Sequence, residues 1–483
     1  MTITKTIILF IFIAVGSACG GGGGTSDPAT QDPTPAPTPS PTPTPTTKQW
    51  SSTPAVLNTT EDNIYEPHLG YDQAGNGIAI WVSIDTSNNT SVMTSRYSAS
   101  GQLWSTPTPI YANADPVKYL GGPGNEYWES FTGLAVADNG DAWAVWVVST
   151  SGTQQTVMTS HFDSTSLTWS TPESLNADLS KSAHSVHVAT NGSGQTVATW
   201  LEVDAQDSAV VPRDLLGVYA STYDDVLGSW STPIKLDDGS QEYYAPGSVI
   251  DHSPQVVVQS GGKVVVVWHY YASGWGIWAA EKNSGTWTAA QQIHDGAFND
   301  RELDVRLDEN DNIHAVWVQR DATSNDTVLY SRLSAGSSAW STPLSLEQLD
   351  GDAYAPKVAA NNSGRIIVSW LNNDVSLDLY ATQYDPIQSQ WTSSETVAAG
   401  VSLSKQPTVA IDNNNNATIL WQYVNLWYVH YTPTNGWETK ASIPNGRHGM
   451  HFSLLPTGSN SLEAIWAYNE SGASTKLYVS AFE

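Results

Sequence analysis

The sequence predicts an all-β protein: an eight-bladed β-propeller with four-stranded blades, the last blade closed by the N-terminal strand. Three observations carry this. A Trp-Ser-Thr-Pro-like start recurs eight times, at Trp50, Trp104, Trp169, Trp230, Trp287, Trp340, Trp391 and Trp437, with spacings of 54, 65, 61, 57, 53, 51 and 46 residues. Repeats of about this length cannot bury an apolar face alone and must stack on their neighbours. Each repeat carries a second tryptophan at the end of an alternating apolar run: Trp81, Trp146, Trp200, Trp268, Trp317, Trp370, Trp421 and Trp466. The two ends of the repeat region are also out of step by one strand.

Within a repeat the strands follow in a fixed order. An inner strand and a tight turn come first, as in Leu69–Asp72 before Gly75-Asn76, or Val409–Asp412 before Asn413–Asn416. Asp, Asn and Gly there supply the left-handed φ of a hairpin. The second strand ends on the second tryptophan, and a third follows, as in Val92–Tyr97 or Leu379–Tyr384. The next Trp-Ser-Thr-Pro start is the outer strand. Apolar residues keep a period of two throughout, the mark of strands. Trp50–Leu57 has no inner strands before it, and the last repeat stops at its third strand, Leu477–Phe482. The N-terminal strand can therefore complete the eighth blade, which removes two exposed edges. Length alone, 483 residues, suggests about three domains. The repeats replace that with one, residues 50–483.

The residues ahead of the repeats differ in kind. Residues 1–18 read as a signal peptide: a weakly basic start to Lys5, an apolar run Ile7–Val15 too short to span a bilayer, then Gly16, Ser17 and Ala18. Cys19, the only cysteine, stands at the cleavage point. Gly16-Ser17-Ala18-Cys19 resembles the lipobox of bacterial lipoproteins, with Gly16 where Leu is usual. The resemblance implies lipid attachment at Cys19 and an extracytoplasmic place at the outer membrane or cell surface. Residues 19–49 read as a linker, glycine-rich to Gly24 and then Pro/Thr-rich. Extended polyproline II across such a tract would hold a head on the order of 70 Å from the lipid.

Composition narrows the classes. A formal charge of −28 repels phosphate backbones, which excludes nucleic acid as a main partner. With 21 Trp and 21 Tyr the chain is not a disordered acidic polymer. One cysteine excludes an intramolecular disulfide. No phosphate loop, zinc spacing or Gly-x-Ser-x-Gly elbow is present, so no cofactor is expected. No metal is expected either: Asp308–Asn312 has oxygen-ligand spacing but occupies a hairpin turn and lacks the glycine and distal glutamate of a calcium loop.

Spacing also points to a functional face. Long insertions fall at about Tyr111–Phe131, Asp204–Leu216 and Asp237–Ser253, in connections that share one face of a propeller. At the channel mouth of that face the inner strands share a Pro-x-Val/Leu pattern, with Pro67, Pro254, Pro356 and Pro407. Two residues earlier stand Tyr65, His184, His252, Arg301, Tyr354, Lys405 and His448, joined by Glu66, Glu302 and Arg447. The second blade offers Trp128, Glu129 or Ser130. Trp128 and Trp275 are expected in loops of this face, whereas Trp143, Trp278 and Trp427 are expected in the core. A ring of cations and aromatics on an acidic body suits a sugar or anionic glycan, since Tyr and Trp stack on pyranose faces and Arg and Lys pair with carboxylates.

The Trp-rich blades resemble the sialidase (BNR, Asp-box) superfamily over about Trp50–Glu483. Fragments of the Asp box survive in Ser100-Gly101-Gln102-Leu103-Trp104 and in Phe162-Asp163 before Trp169. That family implies three arginines on a sialate carboxylate. Here there is no Phe-Arg-Ile-Pro motif, and only Arg301 and Arg447 align, with Arg213 in an insertion. A likeness to propeller polysaccharide lyases implies a Tyr or His base with a cation on a uronate, roles for Tyr65, His184, His252 and Arg301. A third likeness is to an eight-bladed outer-membrane assembly scaffold, whose Gly- and Asp-rich blade signature is missing. The expectation is a monomeric envelope lipoprotein that binds an extracellular glycan or protein and touches the membrane through its lipid only. A lyase or glycoside hydrolase of an anionic glycan and an assembly scaffold are the alternatives.

Overall fold

Runs such as Gly77–Ile84 are buried at every position because a sheet lies against each face of the strand. The computed structural model describes residues 49–58, 62–113, 115–119, 131–151, 154–176, 178–203, 215–237, 254–271, 275–296, 300–320, 325–347, 349, 351–402, 405–447, 451–457, 461–469 and 475–482. They form eight separate antiparallel sheets, the blades of a propeller. In blade one the order from the axis outward is Asn63–Tyr71, Gly77–Ile84, Thr90–Ser98 and Leu103–Trp104, with Thr108–Tyr111 pairing on Thr90–Ser98 as well. Blade eight runs His451–Thr457, Ser461–Asn469, Thr475–Phe482 and then Ala55–Val56. Ala55 lies opposite Val479, Val56 opposite Tyr478, and Trp50 bridges Phe482. The ring closes as the offset of its ends predicts.

The two tryptophans of each repeat have separate jobs. The second is buried in all eight blades, at 2% exposure or less, and packs into the cluster shared with the preceding blade. Trp81, for example, meets Ile465 of blade eight, and Trp421 meets Leu371 of blade six. In six blades the first lies against an aromatic of the third strand, as Trp104 on Tyr97 at 5.4 Å and Trp437 on Tyr431 at 5.2 Å, while Trp287 meets Lys282 and Trp340 meets Leu333. The Ser or Thr after it explains the rest of the motif. The hydroxyls of Ser95, Ser160, Ser221 and Ser331 donate to the carbonyls of Ser105, Ser170, Ser231 and Ser341 at 2.7 Å, and Thr382 to Thr392 at 2.8 Å. The Ser105, Ser170, Ser231 and Ser341 hydroxyls in turn accept the next backbone N–H of the third strand. Each hook pins an outer strand that is otherwise only two residues long.

The turns between first and second strands link the blades. Asp72, Asp308 and Asp412 each accept the backbone N–H four residues on, at 2.7 to 2.8 Å. From blade to blade, Asn191 Nδ2 donates to Gln259 O at 3.1 Å, Gln259 Nε2 to Asp311 O at 2.6 Å, and Asn361 Nδ2 to Asp412 O at 2.8 Å. The face opposite the insertions is thus laced by its own turns.

Candidate functional site

Near the start of the inner strand the ladder slips. Register shifts fall between Tyr65 and His68, His184 and His187, Arg301 and Asp304, Tyr354 and Lys357, and Lys405 and Thr408. In four of these bulges a non-glycine residue takes left-handed φ: Glu66 at 45°, Ser185 and Glu302 at 56°, Ala355 at 51°. Such φ costs a non-glycine residue on the order of 1–2 kcal/mol and persists where neighbours hold it. Here they do. Glu66 Oε2 accepts from Phe131 N at 3.3 Å and Thr132 Oγ1 at 3.0 Å, and the Glu302 carboxylate accepts from Ala355 N. Both acids bond the inner strand of the next blade.

A bulge re-aims the side chains beyond it. Just beyond four of these slips stand His68, His187, Asp304 and Lys357. His187 accepts a 3.4 Å bond from Val256 N, and the charges of His68, Asp304 and Arg306 from other blades all act on it. Burial, with help from Arg306 and His68, pushes its pKa down to about 4, so it is neutral at pH 7. His68 Nε2 bonds Thr132 Oγ1 at 2.9 Å. Asp304 accepts from Val358 N at 3.0 Å and sits 3.1 Å from Arg306 and 3.8 Å from Lys357. The sequence reading missed this ring.

Above it, on the insertion-bearing face, three clusters stand out. The first insertion begins by crossing to blade two, where Lys118 N donates to Val147 O at 2.8 Å and Ser149 N to Pro116 O at 2.9 Å. This lays the Tyr119 ring 4.3 Å from the Tyr65 ring, which is also 5.2 Å from His451 of blade eight. Burial pushes both phenols up, so they remain neutral donors. Second, His294 Nδ1 lies 2.9 Å from Asp300 Oδ2 and its Nε2 lies 3.4 Å from Gln319 Nε2. Asp300 is buried, its Oδ1 has no hydrogen-bond partner among the described residues, and burial raises its pKa against the pull of His294. Such a pair can hold and pass a proton. Third, Glu347 accepts a 3.0 Å bond from Trp370 Nε1, and burial pushes it up to about 7. Arg320 is held by two bonds to Asp326 at 2.9 and 3.0 Å, a fixed structural fork.

The predicted residues divide accordingly. Tyr65 is in the face cluster, while Tyr354 packs against the core between blades six and seven. His184, Arg301 and Lys405 stand early in inner strands. Arg447 does not: it ends the outer strand Ala441–Arg447 of blade seven, opposite Asn425. Trp275, expected in a loop, opens the third strand of blade four, opposite Tyr271. Trp143 is buried in the core, and Trp278 and Trp427 are partly so. Cys19, Trp128, Glu129, Arg213, His252 and His448 lie outside the described residues. Among the described residues no three His, Cys, Asp or Glu side chains converge as a metal site would require.

No family of known proteins matches the sequence, and no curated protein does. Among solved structures the chain is similar to an ulvan lyase of polysaccharide lyase family PL25, with TM-score 0.43 and 9% identity over 82% of this chain and 94% of that one. It is also similar to a protein of unknown function from Dyadobacter fermentans, with TM-score 0.41 and 11% identity over 76% and 97%. A third likeness is the intramolecular trans-sialidase from Ruminococcus gnavus, with TM-score 0.36 and 11% identity over 90% and 97%. The fold rests on the strand pairing given above and not on these likenesses.

Proposed function

We propose that this protein is an envelope lipoprotein whose propeller head binds an extracellular glycan on the insertion-bearing face. The observation that supports it best is the Tyr65–Tyr119 stack beside His451, assembled from blades one and eight by the first insertion. Half-buried neutral phenols offer both a ring face for a pyranose and a hydroxyl for its oxygens. The cations predicted near it, Arg301, Lys405 and His184, would add affinity for acidic sugars. Lipid attachment at Cys19 rests on the sequence alone. On a glycan array, the Cys19→Ser chain should bind a restricted set of sugars. Tyr119→Ala and Trp128→Ala together should remove those signals at unchanged melting temperature, and unaltered binding would refute the site. Cys19→Ser should also move the protein from the membrane to the soluble fraction.

The His294–Asp300 pair favours a second reading, a lyase or hydrolase of an anionic glycan, because a buried carboxyl 2.9 Å from an imidazole, its pKa raised by burial, is a pair that proton transfer can use. Uronate polysaccharides should then yield unsaturated, ultraviolet-absorbing ends or new reducing ends, and Asp300→Asn should stop it. No product across a broad panel would eliminate the enzyme.

A further inference from the structure

The outer wall of the ring is scored by grooves between adjacent blades, and side chains fill several of them. Between blades two and three the filler is Trp143, fully buried, stacked on His161 at 4.9 Å and meeting Tyr223 at 5.5 Å. Between blades five and six it is Tyr330, edge-on to Trp391 at 4.9 Å. Between seven and eight it is Tyr428, which meets Trp50 at 6.0 Å. Between three and four, Lys282 crosses to Thr222 Oγ1 at 2.7 Å and lies 5.9 Å over the Trp287 ring.

Blade one carries none of these fillers. Ile78, opposite Arg96, takes the place that Trp143 holds opposite His161. Thr94, two residues before Arg96, takes the place of Tyr330 before Arg332. The result is an open cavity of about 410 Å³ between blades one and two, walled by Trp104, Trp169 and Phe162. Arg96 lines it, its backbone N–H held by Ser105 Oγ at 3.0 Å. Among the described residues no carboxylate and no side-chain hydrogen bond meets its guanidinium. The hydroxyls of Ser98 and Thr108 line the same space.

We propose that this groove is a second binding site, separate from the insertion-bearing face, for a carboxylated pyranose such as one hexuronate unit of an acidic polysaccharide. The volume, at the low end for ligand pockets, suits one or two sugar rings. Two indoles provide the apolar walls that a pyranose CH face packs on. The guanidinium forks onto a carboxylate, and hydroxyls answer the ring oxygens. On a chain of net charge −28, an unpaired arginine in a concave site is the local exception that would select an anion. The site needs nothing from the face proposed above.

The test uses the full chain and a galacturonate or glucuronate trisaccharide, with the neutral galactose or glucose counterpart as control, read by calorimetry and by indole fluorescence. The uronate should bind and the neutral sugar should bind at least tenfold more weakly. Arg96→Gln should weaken the uronate about tenfold or more. Ile78→Trp, which supplies the filler of blade two, should abolish binding at unchanged melting temperature. Absence of uronate binding, equal binding of the neutral sugar, or affinity unchanged in Arg96→Gln would overturn the proposal. Binding lost in Tyr119→Ala but kept in both groove variants would place the ligand on the other face and overturn it too.

Discussion

Glu347 offers the most direct test of how the blades are held. It is 5% exposed, bonds Trp370 Nε1 at 3.0 Å, and follows the short outer strand Leu344–Ser345 of blade five. Burial outweighs its hydrogen bonds and raises its pKa from 4.5 to about 7. A raised carboxyl holds its proton longer in the folded chain than in the unfolded one. As pH climbs from 4.5 to 7 the unfolded state loses the proton first, so the folded state loses relative stability across that window. Fully developed, the displacement corresponds to about 3 kcal/mol, absent below pH 4.5 and complete above pH 7. Glu347→Gln keeps an acceptor for Trp370 but has no proton to lose. The variant should match the parent near pH 4.5 and exceed it by up to about 3 kcal/mol at pH 8. Chemical denaturation at half-unit steps from pH 4.5 to 8.5 reads the difference, which cancels the many other carboxylates. A constant gap between the two proteins over that range would refute the reasoning.

Other outcomes follow from the same packing. Ser170→Ala removes the acceptor of His161 N at 3.0 Å and should cost about 1 kcal/mol, read from the denaturation midpoint, with the fold intact by circular dichroism. Trp50→Ala empties a site 4% exposed beside Phe482 at 5.2 Å; a loss of about 3–5 kcal/mol is expected, with faster hydrogen exchange confined first to Leu477–Phe482. Trp466→Ala, in the core between blades seven and eight, should cost as much while exchange rises in both blades.

Much of the architecture was legible because it is periodic. Sixteen tryptophans at repeating positions, the turn residues Asp72 to Asn76 and their equivalents, and the missing fourth strand at Phe482 each state a local rule that the whole ring obeys. The site was less legible, and the reason is the bulge. Counting by twos from Tyr65 leads to the wrong side of the strand, because Glu66 adopts left-handed φ without being glycine. One trace existed. Pro67, Pro356 and Pro407 follow the bulged position, where a strand can spare an N–H, and their recurrence inside inner strands could have marked the slip beyond which His68 and Lys357 stand. The groove at Arg96 was invisible for another reason: it is defined by what Ile78 and Thr94 do not fill, and only comparison with Trp143 and Tyr330 in space reveals it.

The ring's closure also sets how the head responds to mechanical tension. The fourth strand of blade eight is only Ala55–Val56, backed by the Trp50 bridge to Phe482, whereas every other outer strand is continuous with a complete third strand of its own blade. Force applied to the chain ahead of Trp50 therefore meets this one short strand, with the Trp50 indole and the bonds of Ser51, Leu57 and Asn58 to the third strand of blade eight, before it meets any full sheet. Yielding would begin at that seam and leave blades one to seven paired, so a pulled molecule would open like a clasp and could shut again without refolding its body.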